Sequence, residues 1–402
     1  MMAPANEGVS VLANVRLGDA AVDIVMQDGR ISGIAPGLAD ATSTAIRIEG
    51  NGALALSGLV DGHMHLDKTL TGCAWMPHRA GPERMSRIEK EKELRGILPP
   101  VAERAANLVR RCIAHGTTAI RTHVDVDPEL GLSHVHALAE VRERFAKYVD
   151  IQIVAFPQSG VVRCPGTAEL LEAALQEGAD LLGGLDPLVI DDDLDGQLTI
   201  LFNIAERRGV GIDIHLHDAG THGLAEIAAV TDQTLAAGMT GRVTVSHGFC
   251  LGAANDDDFA RTADAMAEAG VSLVTHGGAA SPLPPIKLLR ERGVRVFAGN
   301  DDVRDPWSPF GNGDMLERAM LLAWRSGYRT DGDLEIAFEC ASSAGAEMLG
   351  CENYGLAVGD QADFMVVNAH SIAEAVAQRA RRNLVFKAGR LVAQGGEFVG
   401  NA

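Results

Sequence analysis

The stretch GLVDGHMHLDKTLTG, residues 58–72, decides the fold of this chain. It begins as an apolar run typical of a buried strand, and it then places His63, His65, Asp67 and Lys68 within six residues. Side chains two positions apart in a strand point to the same side, so both histidines can face one point. The stretch therefore predicts a buried strand whose carboxyl end carries a chemical site.

The central part of the chain repeats this arrangement. Short apolar runs alternate with amphipathic segments rich in Ala, Leu, Glu and Arg, which indicates parallel strands joined by right-handed crossovers. The strand candidates are ALSGLVDGHMH, TTAIRTHVDV, DIQIVAFPQ, DLLGGLDP, GVGIDIHLHD, RVTVSHG, VSLVTHGG and VRVFAGNDD. Eight such units over about 250 residues predict a closed (β/α)8 TIM barrel of the α/β class, with a doubly wound open sheet as the alternative. The connection from Leu66 to about Pro99 is long for a βα loop, so it is a candidate lid.

The two ends of the chain show a different pattern. Short alternating runs are joined by turns marked by Gly, Asp and Pro, and DGRISGI near the start resembles AGRLVAQ near the end. We predict a small composite β-sandwich domain from residues 1–57 and 353–402, and a barrel domain from residues 58–352.

Polar residues stand where the predicted barrel strands end. In strand order they are His63 and His65, His123 and Asp125, Gln158, Asp186, His215 with His217 and Asp218, His247, His276, and Asn300 to Asp302. Polar groups at the carboxyl ends of barrel strands are the expected mark of an active site. The pair His134 and His136 has the same spacing as the first pair, but on a predicted helix it spans about 200° of rotation and cannot share a metal.

A metal site is predicted from strands one, five and eight, which supply His63, His65, His215 and Asp301. Imidazole and carboxylate groups suit zinc, and also iron or manganese. A hydrogen-bonded core residue is the alternative for each histidine taken alone, whereas the combination indicates a metal.

These motifs give the chain a resemblance to the amidohydrolase superfamily, in its cytosine deaminase branch, over nearly the whole length. The resemblance is carried by GLVDGHMHLD, RTHVDVD, IQIVAFPQSG, IDIHLHD, VTVSHG, GNDDVRDPW and VFKAGRLV. It implies a hydrolase of C–N bonds other than peptide bonds, which removes ammonia or an alkylamine from a nitrogen heterocycle through a metal-bound hydroxide. The partner would then be a small heterocyclic substrate.

The resemblance also implies roles for individual residues. The metal ligands would be His63, His65, His215 and Asp301; the catalytic residues His217, Asp218, His247 and Asp301; and the substrate-binding residues Lys68, Gln158, Asp186 and Asp302. A solvated lysine on a mobile loop is the alternative for Lys68. Trp307 and Phe310 are candidates for a wall of the site, with buried packing as the alternative for either.

Two departures from the family pattern refine this hypothesis. Binuclear members carry a bridging lysine at the fourth strand, whereas this strand ends in GGLDP, so we expect one divalent metal ion, Zn2+ or Fe2+. Cytosine deaminase has a glutamate three residues after the fifth-strand histidine; here Asp218 stands at that position and His217 replaces an acidic neighbour. His217 can take over proton transfer, since the ordinary histidine pKa lies near neutrality. The change favours a related ring, or a substituted amine as the leaving group, over cytosine itself.

Composition excludes some classes of protein. The chain has 35 Lys and Arg against 54 Asp and Glu, a net charge of -19, which argues against nucleic acid or an anionic membrane as partner. No signal peptide or membrane helix is visible, and the six cysteines show no close pairing, so we expect free thiols in the cytoplasm. By analogy with relatives we expect a homo-oligomer.

Two other functions stay open at this point. A ring-opening hydrolase of cyclic amides would use the same barrel, but the missing bridging lysine speaks against it. A non-catalytic barrel would lack metal ligands, and all four are present in this sequence.

Overall fold

Strands and helices alternate through the middle of the chain, between two ends that are mostly strand. A computed structural model describes residues 8–42, 45–79, 81, 83–278 and 281–402. The amino-terminal elements are β1 (Ser10–Leu17), β2 (Ala20–Gln27), β3 (Arg30–Ala35), α1 (Leu38–Ala41), β4 (Ile46–Glu49) and β5 (Leu54–Ser57). The central elements are β6 (Leu59–Met64), α2 (Arg84–Arg95), α3 (Val101–Ala114), β7 (Thr117–Asp125), α4 (Ser133–Phe145), β8 (Asp150–Phe156), α5 (Thr167–Gln176), β9 (Leu181–Leu185), α6 (Leu194–Arg208), β10 (Ile212–Leu216), α7 (Gly220–Ala236), β11 (Val243–His247), α8 (Asp256–Glu268), β12 (Ser272–Thr275), α9 (Ile286–Glu291), β13 (Val296–Ala298), α10 (Met315–Arg325), α11 (Asp331–Cys340) and α12 (Ser343–Leu349). The last elements are β14 (Phe364–Val367), α13 (Ile372–Gln378), β15 (Arg382–Lys387), β16 (Arg390–Gln394) and β17 (Glu397–Phe398).

Strands β6 to β13 form one parallel sheet in chain order, and this sheet closes on itself. Met64 pairs with Asp301 in a parallel bridge, and the Asp301 amide donates to the His63 carbonyl at 2.7 Å. Of the eight barrel strands, all except β8 are buried at every residue, because side chains fill the inside and helices cover the outside. The predicted barrel is confirmed, and the open-sheet alternative is wrong.

The two ends of the chain build a second sheet of nine strands. Its order is β17-β16-β15-β14-β5-β1-β2-β3, with β4 paired to β1. The antiparallel pair β14–β5 joins the tail to the amino-terminal strands. Leu12, Ile24, Phe364 and Phe386 share one buried cluster, in which the two phenylalanine rings stack at 4.7 Å. The prediction that both ends form one small β unit is confirmed.

The chain passes from one sheet to the other at Gly58. The candidate strand ALSGLVDGHMH is therefore not one strand, because β5 belongs to the end sheet and β6 to the barrel. A Cβ at Gly58 would lie 2.5 Å from Thr118 Cγ2, so the crossing needs glycine. This change of sheet supports the domain limits predicted above, which stay a proposal.

Helix α2 lies across the carboxyl-terminal mouth of the barrel, within the long connection predicted to be a lid. It directs Arg84, Ile88, Glu91 and Arg95 towards the barrel, at spacings of four, three and four residues that place them on one helix face. Ile88 and Glu91 are buried.

Among the described helices, none is long and apolar enough to cross a membrane.

Candidate metal centre and active site

Four side chains from three barrel strands and their ends converge at the barrel mouth. His63, His65, His215 and Asp301 each place one ligand atom within 4.8 Å of the others. Asp301 Oδ1 lies 3.3 Å from His63 Nε2 and 3.5 Å from His65 Nε2, and the two Nε2 atoms of His65 and His215 are 3.4 Å apart. The structure thus brings together the four residues predicted to bind a metal.

A hydrogen-bond relay fixes the tautomer of His63. The Ser246 hydroxyl donates to Asp213 Oδ1 at 2.6 Å, so its oxygen can only accept at His63 Nδ1, 2.9 Å away. Arg121 holds the other oxygen of Asp213 at 2.9 Å. His63 therefore carries its proton on Nδ1 and directs the lone pair of Nε2 at the carboxylate of Asp301.

This arrangement fits a divalent cation. A lone pair facing a carboxylate oxygen at 3.3 Å is a contact between two acceptors, which is unfavourable unless a positive charge lies near both. Ligand atoms held at about 2.0–2.2 Å from a tetrahedral metal are about 3.4 Å apart, close to the three distances given above. Among the described residues, His63 Nε2 is buried and has no hydrogen-bond partner.

The electrostatics of the histidines also suit a metal. Burial, with the nearby charge of Lys68, lowers the pKa of His65 to about 4. Burial and the neighbouring histidines lower the pKa of His215 well below its usual value. Both imidazoles are therefore neutral near pH 7, which is the form that binds a metal.

A second set of groups beside this centre can transfer protons. Asp186 accepts the His217 amide at 2.6 Å and faces His217 Nδ1 at 2.8 Å, so Nδ1 carries a proton and Nε2 is left for chemistry. Burial raises the pKa of Asp186, but His217 and Arg84 outweigh it, so the net pKa lies below its usual value. The ring of His247 stacks on His217 with centroids 4.3 Å apart.

The cavity at the mouth contains only part of the predicted substrate site. Its volume is about 30 Å³. It is lined by His65, Lys68, Arg84, Ile88, Phe156, Gln158, Leu185, His215, His217, Asp301, Asp302 and Trp307. Asp186 and Asp218 instead lie against the guanidinium of Arg84. The predicted catalytic and substrate-binding roles remain predictions, although these residues all gather at one end of the barrel.

Lys68 is buried, so the solvated alternative is wrong. Its Nζ donates to Gln158 Oε1 at 2.6 Å and lies 3.2 Å from Asp125 Oδ1 and 3.5 Å from Glu91 Oε2. Burial alone would lower the pKa of Lys68, but the two carboxylates raise it above its usual value. Lys68 therefore stays charged and holds Gln158 in place.

The two aromatic candidates differ. Trp307 lines the cavity and donates from Nε1 to Glu91 Oε2 at 2.7 Å. Phe310 is 78% exposed, so neither alternative offered for it, a wall of the site or buried packing, is correct. Phe310 lies in the connection between β13 and α10, and its ring is exposed to solvent.

His134 and His136, the pair predicted to lie on a helix, do not face one point. His134 Nδ1 contacts Asp67 at 2.9 Å, whereas His136 Nε2 contacts Glu177 at 2.5 Å. The two rings therefore point to different partners, as their helical spacing requires.

Comparison with known proteins identifies the family. The profile described as "Amidohydrolase family" matches residues 48–393. The chain belongs to the amidohydrolase family. The predicted superfamily and the prediction of a hydrolase are therefore confirmed.

Three similar proteins show which kinds of amidohydrolase this chain resembles. It is 35% identical over 355 residues to N-isopropylammelide isopropyl amidohydrolase of Pseudomonas sp. (strain ADP), with 86% of this chain and 87% of that protein covered. The crystal structure of N-isopropylammelide isopropylaminohydrolase from Burkholderia multivorans ATCC 17616 matches with a TM-score of 0.94 at 46% identity, covering 97% and 100% of the two chains. The structure of 5-methylcytosine deaminase from Klebsiella pneumoniae liganded with 5-fluorocytosine gives a TM-score of 0.84 at 27% identity, covering 96% and 97%.

Sequence reasoning missed several residues of the amidohydrolase site. Arg84 was hidden in the long connection, where it is one of many charged residues on a helix. Ser246 and Asp213 lie inside strands, and only the fold shows that they meet His63. His276 was noted only as a strand end, yet its Nδ1 lies 3.3 Å from Asp301 Oδ2.

Proposed function

We propose that this amidohydrolase removes an alkylamine or ammonia from an amine-substituted nitrogen heterocycle, with N-isopropylammelide as the first candidate substrate. The observation that carries the proposal is the convergence of four ligand atoms at the mouth, with the His217–Asp186 pair beside them. The two N-isopropylammelide hydrolases described above support the choice of substrate.

The metal would be held by His63, His65, His215 and Asp301. One divalent ion bound there, zinc or iron, would act as a Lewis acid and would lower the pKa of water from about 15.7 to about 7. We expect one ion because β9 is followed by Asp186 and not by lysine.

The protein side chains would then direct the protons. Asp301 takes a proton from the attacking water as the water oxygen bonds to the ring carbon, and His247 lies beside Asp301 to orient that oxygen. His217, held by Asp186, gives a proton to the amine nitrogen as the C–N bond breaks. The products are an oxo ring and the free amine. Lys68, Gln158 and Asp302 also line the cavity and would hydrogen-bond ring nitrogens and oxygens.

The test is a steady-state screen that separates leaving groups. Metal-reconstituted protein is incubated with N-isopropylammelide, ammelide, cytosine, isocytosine and a pterin, and both ammonia and alkylamine are measured. We expect turnover without ring opening, abolished by a chelator and restored by zinc or iron. An acyclic product would favour the ring-opening amide hydrolase instead.

A matched pair of variants tests the proton donor. His217→Gln is expected to lower kcat by about 10²- to 10⁴-fold, the usual contribution of a general acid. His222→Gln is the control, since His222 lies exposed on α7. Full activity of His217→Gln would contradict the assigned role. The homo-oligomeric state and the cytoplasmic location remain predictions.

A further inference from the structure

We propose that Arg84 determines which leaving amines the pocket accepts. Its guanidinium occupies the cation-binding pair, two carboxylates that would otherwise bind an alkylammonium ion. The cation-binding pair consists of Asp186 and Asp218. This inference rests on the proposed function, which assigns that side of the pocket to the departing amine.

The guanidinium of Arg84 bridges the cation-binding pair. Its Nη2 lies 2.6 Å from Asp218 Oδ1, and its Nη1 donates to Asp186 Oδ2. Both carboxylates are buried, whereas the Arg84 side chain is 29% exposed. The arginine therefore reaches in from the surface to cover two buried anions.

The pair has acceptor capacity that Arg84 does not use. Asp218 Oδ2 is buried, and no described residue donates a hydrogen bond to it. Glu226 adds a third carboxyl group, since one oxygen each from Asp186, Asp218 and Glu226 lies within 4.8 Å of the others. Burial raises the pKa of Glu226 to about 8, so near neutral pH it adds no charge to the pair. Buried anions require a positive partner, and in this structure Arg84 supplies it.

The cation-binding pair also touches the proton donor. Asp186 Oδ2 accepts both from Arg84 and from His217 Nδ1, the latter at 2.8 Å. The ring centroids of His217 and His215 are 5.6 Å apart, so the two carboxylates of the cation-binding pair lie one side chain away from a proposed metal ligand. The proton from His217 releases a neutral amine, and because an alkylamine is a strong base it takes a further proton from solvent near neutral pH. The alkylammonium ion therefore forms next to these two carboxylates.

The space available explains why Arg84 must move. A cavity of about 30 Å³ holds roughly two water molecules, since one water needs about 10–15 Å³. A substituted six-membered ring does not fit beside the side chain of Arg84. Helix α2 has independent anchors, because Glu91 binds Trp307 at 2.7 Å and Arg95 binds Asp125 at 3.0 Å. The Arg84 side chain can therefore swing out while the helix stays in place.

The experiment measures the binding of isopropylammonium chloride by calorimetry at constant ionic strength. Metal-loaded wild-type protein is compared with Arg84→Gln, with Arg84→Lys, and with Lys90→Gln as a matched control. Lys90 lies on the same helix and pairs with Glu93 at 2.5 Å, away from the cavity. We expect Arg84→Gln to bind at least tenfold more tightly than wild type, and the other two variants to stay within about twofold.

Unchanged binding in Arg84→Gln would overturn the inference. If that variant does not fold, the wild-type protein provides the test by NMR: saturating isopropylammonium should shift the Nε–H resonance of Arg84 and leave that of Arg95 in place. A shift of neither resonance would equally overturn it.

A turnover measurement separates this inference from the proposed function. In Arg84→Gln the ratio of kcat/KM for N-isopropylammelide to that for ammelide should rise at least tenfold, because the neutral, shorter side chain leaves room for the alkyl group. Absence of turnover in wild type would refute the proposed function, while calorimetry would still test the cation site. Turnover with unchanged ammonium binding would refute only the role of Arg84.

Discussion

Replacing Ser246 with alanine is expected to weaken metal binding without disturbing any proposed ligand. The substitution removes the oxygen that lies 2.9 Å from His63 Nδ1 and 2.6 Å from Asp213 Oδ1. Asp213 Oδ2 keeps its ion pair with Arg121, whereas Asp213 Oδ1 and the Nδ1–H of His63 both lose the Ser246 hydroxyl. The loss at Asp213 is present with and without metal, so the loss that depends on the metal is that of His63.

The size of the effect follows from that lost partner. A buried donor without an acceptor costs about 1–3 kcal/mol. In metal-free protein His63 can avoid this cost by moving its proton to Nε2, but a bound metal needs the Nε2 lone pair and excludes that tautomer. The cost therefore falls on the metal-bound state, which corresponds to about 5- to 150-fold in affinity. Residues that hold a metal-bound histidine generally contribute about 10- to 100-fold.

The assay is competition with a coloured chelator at fixed pH, read out as metal transferred per protein. Ser272→Ala is the matched control, since Ser272 is equally buried in the neighbouring strand β12 and bonds to Thr244 at 3.0 Å instead of to a histidine. If Ser246→Ala and Ser272→Ala hold the metal equally well, the relay does not set the tautomer of His63.

Three further predictions concern stability and barrel closure. Lys68→Met should lower the free energy of unfolding by about 3 kcal/mol in urea titrations, because it removes the buried charge against Asp125 and Glu91 and leaves Arg95 as their cationic partner. A loss under about 1 kcal/mol would show that the ion pairs of Lys68 contribute little. Burial and two neighbouring carboxylates raise the pKa of Glu226 to about 8 from an ordinary 4.5, so the folded state retains a proton that the unfolded state releases. Wild-type stability should therefore fall as pH rises between these values, by up to about 1.4 kcal/mol per pH unit from this group, and Glu226→Gln should remove that slope in urea titrations at pH 6 and pH 8. A Cβ at Gly299 would lie 2.5 Å from His63 Cβ, so Gly299→Ala should cost about 1–3 kcal/mol and reduce metal content. Gly332→Ala, which meets nothing within 4 Å and lies in helix α11, should lower neither stability nor metal content.

The barrel could be predicted from sequence because burial leaves a direct trace in it. Each candidate from TTAIRTHVDV to VRVFAGNDD overlaps one barrel strand, from β7 to β13, since a strand covered on both sides must be apolar almost throughout. The first candidate failed in one respect. Its apolar run continues across Gly58, and hydrophobicity alone does not show that the chain changes sheets there.

The candidate site could be predicted only where its residues stand at strand ends. His63, His65, His215 and Asp301 follow apolar runs, so their positions mark them. The contacts that orient these groups leave no such mark. Ser246 lies 183 positions from His63, and only the closed barrel brings their atoms to 2.9 Å.

Arg84 on α2 is a second residue whose role could not be predicted from the sequence. Arg84 is one basic residue among several on an amphipathic helix, and nothing in the local pattern separates it from Arg87 or Lys90. What distinguishes it is the direction of the helix over the mouth, which depends on contacts made by Glu91 and Arg95. Loop geometry of this kind is set by tertiary packing.

The bond that closes the barrel joins two residues of the proposed metal site, since the Asp301 amide donates to the His63 carbonyl. A cation held by both side chains would cross-link the first and last strands of the ring a few ångströms from that bond. Removing the cation should therefore speed amide hydrogen exchange along the edges of β6 and β13 before exchange changes in any other part of the barrel. In this enzyme, metal binding and closure of the barrel would depend on the same short segment of backbone.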